Sequence, residues 1–368
     1  KMIVIIGAGI TGLFLGHTLL KCGFTDFRIL EENNRAGGKI YTDYTTNGTI
    51  ELGPSIIHSN QKHMMDILQD LGLTFKPITH QKPKLYVGVP LSVDPLPFFS
   101  LSKYAPVSKV LTKEQKLHRE DYNEIRDMNY KWWRIGEDNE GDIGIIKEGW
   151  GEMAQRLYIE LLGYMCMPFK VKTIDVKHKL INDTLPFTQV VICTGFNAAK
   201  KIKWRGVSKK VLAFRHAAKP VSSLRIYVEW KNVVPEHLKS YSHIISNKDF
   251  RWFIDINDKI SLISYTDGRR ANKLKKMGRR KAVIHVLKEL GLSPAAITSS
   301  WVSGSNDAIV NLKPNLKREW LKNMHKVIPN KVYQTCLPFP TQQAWTEGHL
   351  IQAAKVAEEL LDLYHKKC

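Results

Sequence analysis

The chain opens on an unbroken apolar run, Met2-Ile-Val-Ile-Ile6, which meets glycines at positions 7, 9 and 12 and then continues apolar to Leu20. A short run rich in branched residues and stopped by glycine reads as a buried strand. The stretch from about Thr11 to Lys21 reads as an apolar helix, and Phe27-Arg-Ile-Leu30 as a second strand that ends on Glu31. Tyr44 to Glu51 has the pattern of strand, turn and strand, with Asn47-Gly48 at the turn. From His63 to Leu71, a helical period puts Met64, Ile67, Leu68 and Leu71 on one face, with Gly72 past the end. Lys84 to Pro90 reads as a strand, Ser92 to Tyr104 as irregular chain rich in Pro, Phe and Ser, and Thr112 to Trp133 as a polar helix. Val190 to Cys193 is again strand-like. Ser222 to Trp230 alternates as a half-buried strand does, with Phe250–Asp255 and Ser261–Tyr265 as antiparallel partners. Lys281 to Leu290 is helical, with Val283, Val286, Leu287 and Leu290 on one face.

The N-terminal pattern carries chemistry. Glycines at 7, 9 and 12 have the G-x-G-x-x-G spacing between a strand and a helix. Gly7 permits the tight turn, Gly9 lets backbone approach a pyrophosphate, and Gly12 lets helix and strand pack closely. The first N–H groups of the helix, near Thr11, then face the phosphates. Glu31 follows Gly12 by 19 residues, at the end of the second strand, where a carboxylate can accept both ribose hydroxyl hydrogens. The rival for this stretch is a secretory signal or membrane anchor. Glycines at 7, 9, 12 and 16 weaken a membrane helix, and no small-residue cleavage site follows.

Glu31-Glu-Asn-Asn-Arg-Ala-Gly-Gly-Lys-Ile-Tyr-Thr42 resembles the E-x-x-x-R-x-G-G-(R/K)-x-x-T segment of the flavin-containing amine oxidase family, and Glu51-Leu-Gly-Pro-Ser55 resembles its D-x-G-x-x step. The resemblance implies FAD, bound non-covalently. Gly37 and Gly38 would lie against the flat cofactor, Arg35 and Lys39 would offer cations to its diphosphate, and Gly53, Pro54 and Ser55 would pass under the flavin. Further along, Lys147 to Leu157 resembles the family's second cofactor-facing helix. Val171-Lys-Thr-Ile174 resembles the strand whose backbone meets the adenine, and Pro186 to Gly195 the strand that returns to the sheet. Ala344-Trp-Thr-Glu-Gly348 resembles the start of the closing helix, with backbone near Thr346 and Glu347 at the flavin pyrimidine and Trp345 as one wall of an aromatic substrate slot. Trp301 is a guess for the opposing wall, with a core position as its rival.

The implied fold is α/β. A discontinuous Rossmann-type FAD-binding domain (1–75, 140–200 and 326–368) would stand beside a smaller α+β substrate domain (76–139 and 201–325) containing an antiparallel sheet. The implied reaction is hydride transfer from an amine C–H to flavin N5, with O2 as re-oxidant and a small-molecule amine as substrate. Two departures stand against it. The family's A-G-(D/E) step is Thr335-Cys-Leu337, which lacks the acid that holds the ribityl chain. The lysine that many relatives place near N5 is absent from Ser222–Val228, where Ser223 or Arg225 is the nearest occupant. The helical insertion near 112–133 is also short for the family.

Composition adds one feature that the motifs do not explain. Among 368 residues, 55 basic and 35 acidic side chains leave a net charge of +20. Basic clusters fall at 200–210 and at 269–281, the second with eight cations in 13 residues. Each is either a solvated face or a surface for an anionic partner: acidic protein, membrane surface or nucleic acid. The charge and the two departures motivate a rival reading, an inactive amine-oxidase fold kept as a basic scaffold or assembly component. A second rival is an FAD-dependent desaturase of an apolar substrate. Five scattered cysteines without C-x-x-C pairing read as a reducing, cytoplasmic setting, and the histidines show no metal-ligand spacing.

Overall fold

The computed structural model describes residues 2–77, 84–85, 96–97, 142–239, 243–245, 248–313, 316–340 and 345–365. Most of the 84–90 strand, the 92–104 stretch and the polar 112–133 helix expected from sequence lie outside these residues.

The opening apolar run becomes the strand Ile3–Ile6, buried at every position, at the middle of a six-stranded sheet. Its order is Met165–Cys166, Phe27–Leu30, Ile3–Ile6, Gln189–Ile192, Val332–Gln334 and Lys326–Ile328. All pairs are parallel except the last. Strands buried on both faces need no polar alternation, which is why they read as continuous apolar runs. One face is covered by the helices Ile10–Lys21, Lys62–Asp70, Trp150–Glu160 and Thr346–Leu363, which share one core with Ile3, Ile5, Phe27, Ile29 and Val191. The other face, with Val4, Ile6, Val190 and Ile192, packs against a four-stranded sheet that includes Thr173–Asp175 and Lys203–Arg205.

A seven-stranded sheet forms the second layer system, in the order Ile297–Leu312, Ala218–Trp230, Ile260–Asp267, Trp252–Asp255, His243–Ile245, Lys84–Leu85 and Leu96–Pro97. It is antiparallel except where His243–Ile245 meets Lys84–Leu85. Leu224, Ile226 and Val228 on one face pack with Leu274, Val283, Val286 and Leu287 of the helices Gly268–Met277 and Arg279–Glu289. The basic 269–281 cluster therefore spans two helices broken at Gly278, whose φ of +79° suits glycine. The fold is thus mixed α/β with a Rossmann-like unit and an antiparallel sheet.

The sixteen-residue strand Ile297–Leu312 joins the two systems. Trp301 Nε1 donates to Asp43 Oδ2 (2.8 Å), and Ser303 Oγ donates to the Leu52 carbonyl (2.6 Å). The ladder then skips from Ser223↔Ser305 to Val221↔Ile309, and the extra residues bulge outward, carrying Asp307 to Lys39. Trp301 is half-buried with Tyr227 and Ile50 in this seam, at the joint between the systems.

Cys22 is disulfide-bonded, and Cys166, Cys193 and Cys336 are free. A bridge at Cys22 is not what the reading of a reducing setting leads one to expect, and a single bridge leaves no spacing motif for the sequence to reveal. No helix among the described residues is long and apolar enough to cross a membrane.

Candidate cofactor and substrate site

The glycine turn has the contacts its spacing implies. A Cβ on Gly12 would stand 1.9 Å from the Gly7 carbonyl oxygen, so glycine is what brings helix and strand together. Gly7 itself has φ +104°. Gly9 differs from both. Its φ is −72°, and a Cβ there would meet nothing nearer than the Gly38 Cα at 3.9 Å. The space beside Gly9 is open, at the N-terminus of a helix with no acidic residue in its first turn and no side-chain cap. Thr11 is buried in that turn. Free N–H groups and the positive end of the helix thus border an opening suited to an anion.

Glu31 is buried at the tip of the second strand. Its Oε2 accepts the Ala8 N–H (3.0 Å), and its Oε1 accepts from the Asn33 backbone and side chain (2.9 and 2.7 Å). The carboxylate is therefore held beside the glycine turn with part of its acceptor capacity left. Segment 165–171 runs past the same place, because Met165–Cys166 pairs with Phe27–Leu30. Val171 lies just before the strand Thr173–Asp175 and is partly buried. The Thr194 Oγ1 is enclosed without a hydrogen-bond partner, in a side chain that borders Gly7.

Gly37 and Gly38 lie against the turn itself. Gly9 bridges Gly37, and a Cβ on Gly38 would come within 2.9 Å of the Gly9 Cα. Close backbone packing, together with φ values of +99° and +59°, accounts for both glycines before any cofactor is considered. Gly53 is confined in the same way, 2.1 Å from the Lys39 carbonyl oxygen once a Cβ is added. Pro54 and the buried Ser55 continue from it.

Three side chains expected at the cofactor have protein partners. Arg35 donates through Nη1 to the Ala36 and Ile40 carbonyls (2.9 and 2.8 Å) and through Nη2 to Gly38 (2.5 Å), bracing the Gly-Gly loop. Lys39 pairs with Asp307 at 3.3 Å and also donates to the Asp307 carbonyl. Burial opposes the Asp307 charge, but Lys39, the Asn197 N–H and Ser305 outweigh it and hold that carboxyl below its ordinary value. Glu347 accepts the His63 N–H (3.0 Å), the His63 Nδ1 (2.7 Å) and the Met64 N–H (3.0 Å). It caps the Lys62–Asp70 helix and ties it to the C-terminal helix, so both oxygens face another helix.

Sequence reasoning also missed a second buried cap of this kind. Glu51 Oε1 accepts the Trp150 N–H (3.0 Å), and its Oε2 accepts from Thr42 Oγ1 (2.7 Å), which in turn accepts the Gly151 N–H (2.7 Å). The threonine that ends one motif, the acid that opens the next and the glycines on either side of Trp150 thus form one cluster at a helix start. Burial pushes the Glu51 carboxyl up to about 7, against the lowering effect of its two hydrogen bonds.

The C-terminal helix opens at Thr346, half-buried, with Trp345 before it. The Trp345 ring meets His58 edge-on at 4.6 Å between centroids. At the A-G-(D/E) step, Leu337 is wholly buried and its N–H is bound by Gln334 Oε1 (3.0 Å). Nearby, His349 Nδ1 lies 2.8 Å from the Thr335 carbonyl, and burial pushes its ring down to about 4.

Asp249, His285 and Glu289 bring potential metal-ligand atoms within 4.8 Å of one another. However, Asp249 accepts from Lys273 (2.5 Å) and His285 (2.8 Å), while Glu289 accepts the Asp249 and Phe250 N–H groups. An ammonium already supplies the positive charge there.

Comparison with known proteins agrees with this geometry. Residues 5–71 match the family model of an NAD(P)-binding Rossmann-like domain. Over 74 residues the chain is 35% identical to the probable polyamine oxidase 4 of Arabidopsis thaliana, covering 20% of this chain and 15% of that protein. Over 80 residues it is 35% identical to a flavin-dependent L-tryptophan oxidase of Lentzea aerocolonigenes, covering 21% and 17%. These sequence matches span less than a fifth of either relative's length. The fold extends much further. Cyclohexylamine oxidase from Brevibacterium oxydans superposes with a TM-score of 0.75 at 17% identity, over 97% of this chain and 99% of that one. Putrescine oxidase superposes with a TM-score of 0.70 at 11% identity, over 98% and 99%. The N-terminal motifs are thus similar in sequence to those of polyamine and amino-acid oxidases, and the fold along nearly the whole chain is that of cyclohexylamine and putrescine oxidases.

Proposed function

We propose that the chain is an FAD-dependent oxidoreductase of the amine oxidase type, acting on a small-molecule amine with O2. The observation that carries this reading is the opening beside Gly9, where a Cβ would meet nothing nearer than 3.9 Å, at an uncapped helix N-terminus in the turn that also holds the enclosed Thr194 hydroxyl and the fixed Glu31 carboxylate. This donor set fits the ADP half of FAD. Gly7, Gly9, Thr11 and Gly12 would hold the diphosphate through backbone N–H groups, Glu31 would receive the ribose, and Val171 would border the adenine. Arg35 and Lys39 would act indirectly, by shaping and anchoring the loop. Gly53 to Ser55 and the Thr346 helix start would flank the isoalloxazine. Leu337 offers no acceptor, so the ribityl chain would be held by fewer contacts than in relatives with an acid there. When bound, FAD would supply the acceptor for hydride from the amine C–H. The protein's part is to orient the amine, exclude water and place Trp345 beside it.

The test is the visible spectrum of the purified protein, before and after adding FAD. Flavin bands near about 370 and 450 nm, followed by amine-dependent bleaching and peroxide release, are the expected result. A protein that stays colourless with excess FAD would overturn the reading. One observation favours a second reading, a scaffold for an anionic partner: Arg269, Lys273, Lys276, Arg279, Arg280 and Lys281 are exposed on two adjoining helices. Retention on an anionic surface without turnover is its signature.

A further inference from the structure

Arg225 sits in the middle of the strand Ala218–Trp230, between Tyr265 on one neighbour and Ser303 on the other. Its neighbours Leu224 and Ile226 point into the core beneath the basic helices. Alternation therefore puts Arg225 on the opposite face, toward the nucleotide-binding system. Ser303, directly beside it, is hydrogen-bonded to the Leu52 carbonyl, one residue before Gly53. Arg225 is thus presented next to the segment proposed to lie under the flavin.

The guanidinium is stacked on the Tyr265 ring, 4.3 Å from its centroid, and its Nε is enclosed with no hydrogen-bond partner. Among the described residues no carboxylate pairs with it. Asp267, the nearest in register, gives Oδ2 to Arg251 at 2.8 Å, keeps Oδ1 enclosed without a partner, and favours the Arg225 charge without a direct contact. Ser223 Oγ and Tyr227 OH, on the same strand, are also enclosed without partners. Each buried, unpartnered donor carries a desolvation penalty, and an arginine cannot escape it by losing its proton. Several such donors around one fixed cation describe a receptor for an anionic group. Ring stacking leaves the N–H edge of the guanidinium as its hydrogen-bonding side, and that planar fork matches a carboxylate in two parallel bonds. A simple amine or polyamine, which arrives as a cation, is repelled by the same charge.

We infer that Arg225 receives a carboxylate of the substrate, so that the amine oxidised is an amino acid or another amino carboxylate. This rests on the amine oxidase reading for the reaction, though not for binding. Two measurements keep the two claims apart. The first is calorimetric titration of the protein, supplied with FAD, with benzoate and with benzamide, which share a ring but differ in charge. Benzoate is expected to bind at least tenfold more tightly, Arg225→Gln to remove that preference, and Arg225→Lys to keep part of it because the charge survives without the fork. The second is peroxide release from amino acids and from their decarboxylated amines. The amino acids are expected to be preferred, and Arg225→Gln to raise their KM far more than it lowers kcat. Equal binding of benzoate and benzamide by the wild-type protein overturns the assignment without any variant. So does faster turnover of the amine than of its parent amino acid. Selective benzoate binding without turnover of either class would leave the anion receptor standing and overturn the oxidase reading.

Discussion

Glycines 9 and 12 belong to one motif, yet the structure separates their roles. Gly12 has no room for a methyl group, and Gly9 has room for one. Gly12→Ala should force the helix off the strand and cost at least about 3 kcal/mol, read as a fall in the denaturation midpoint. Gly9→Ala should leave stability within about 1 kcal/mol and weaken FAD binding at least tenfold, because its methyl enters the opening itself. Equal effects of the two on stability would remove the argument for a cofactor opening. Glu51 makes a separate prediction. Its folded carboxyl titrates near 7 against an ordinary 4.5, so between those values the folded chain keeps a proton that the unfolded chain has lost. Stability should therefore fall as pH rises through that window, by about 3 kcal/mol at most. Glu51→Gln still offers an oxygen to Trp150 N–H and an amide to Thr42, and should flatten the dependence. Denaturation midpoints at pH 5 and pH 8 for both proteins check it.

At the scale of elements, the legible parts were those whose environment is uniform. Ile3–Ile6 and Gln189–Ile192 are buried on both faces, and the Lys62–Asp70 helix has one apolar stripe, so apolar patterning alone reveals them. The strand Ile297–Leu312 gave no such signal. Trp301, Ser303 and Asp307 make polar contacts with another part of the chain, and a pattern of Ser, Gly, Asn and Asp reads locally as loop. The two caps were hidden for a related reason: Glu51 and Glu347 act on helices 99 and 284 residues away in sequence. Motif resemblance found the residues without revealing their task. For Glu347 the task can be tested. Glu347→Ala strips acceptors from the His63 and Met64 N–H groups and should cost about 2–4 kcal/mol, with faster amide exchange at those two positions. If Glu347 instead held the cofactor, FAD affinity would fall while the amides stayed protected.

At the scale of the whole molecule, the candidate site is assembled from pieces that sequence separates widely: the turn at Gly7–Gly12, Glu31, the loop at Gly37–Gly38, Gly53–Ser55, Thr194 and the Thr346 helix start. At Leu337 the wholly buried side chain is apolar and offers a ligand no acceptor. The +20 net charge also works against compaction, because like charges repel within a folded chain. A ligand that touches several pieces at once should then stabilise the whole and not one corner of it. With FAD at about 100 times its dissociation constant, the gain should be about 2.7 kcal/mol. For a chain of this length that is a rise in Tm of about 3–4 °C. Amide exchange should slow at the N-terminal turn and at the start of the Thr346–Leu363 helix together. Protection confined to the turn would mean that only the ADP half is held, and that Leu337 has cost the site its grip on the flavin end.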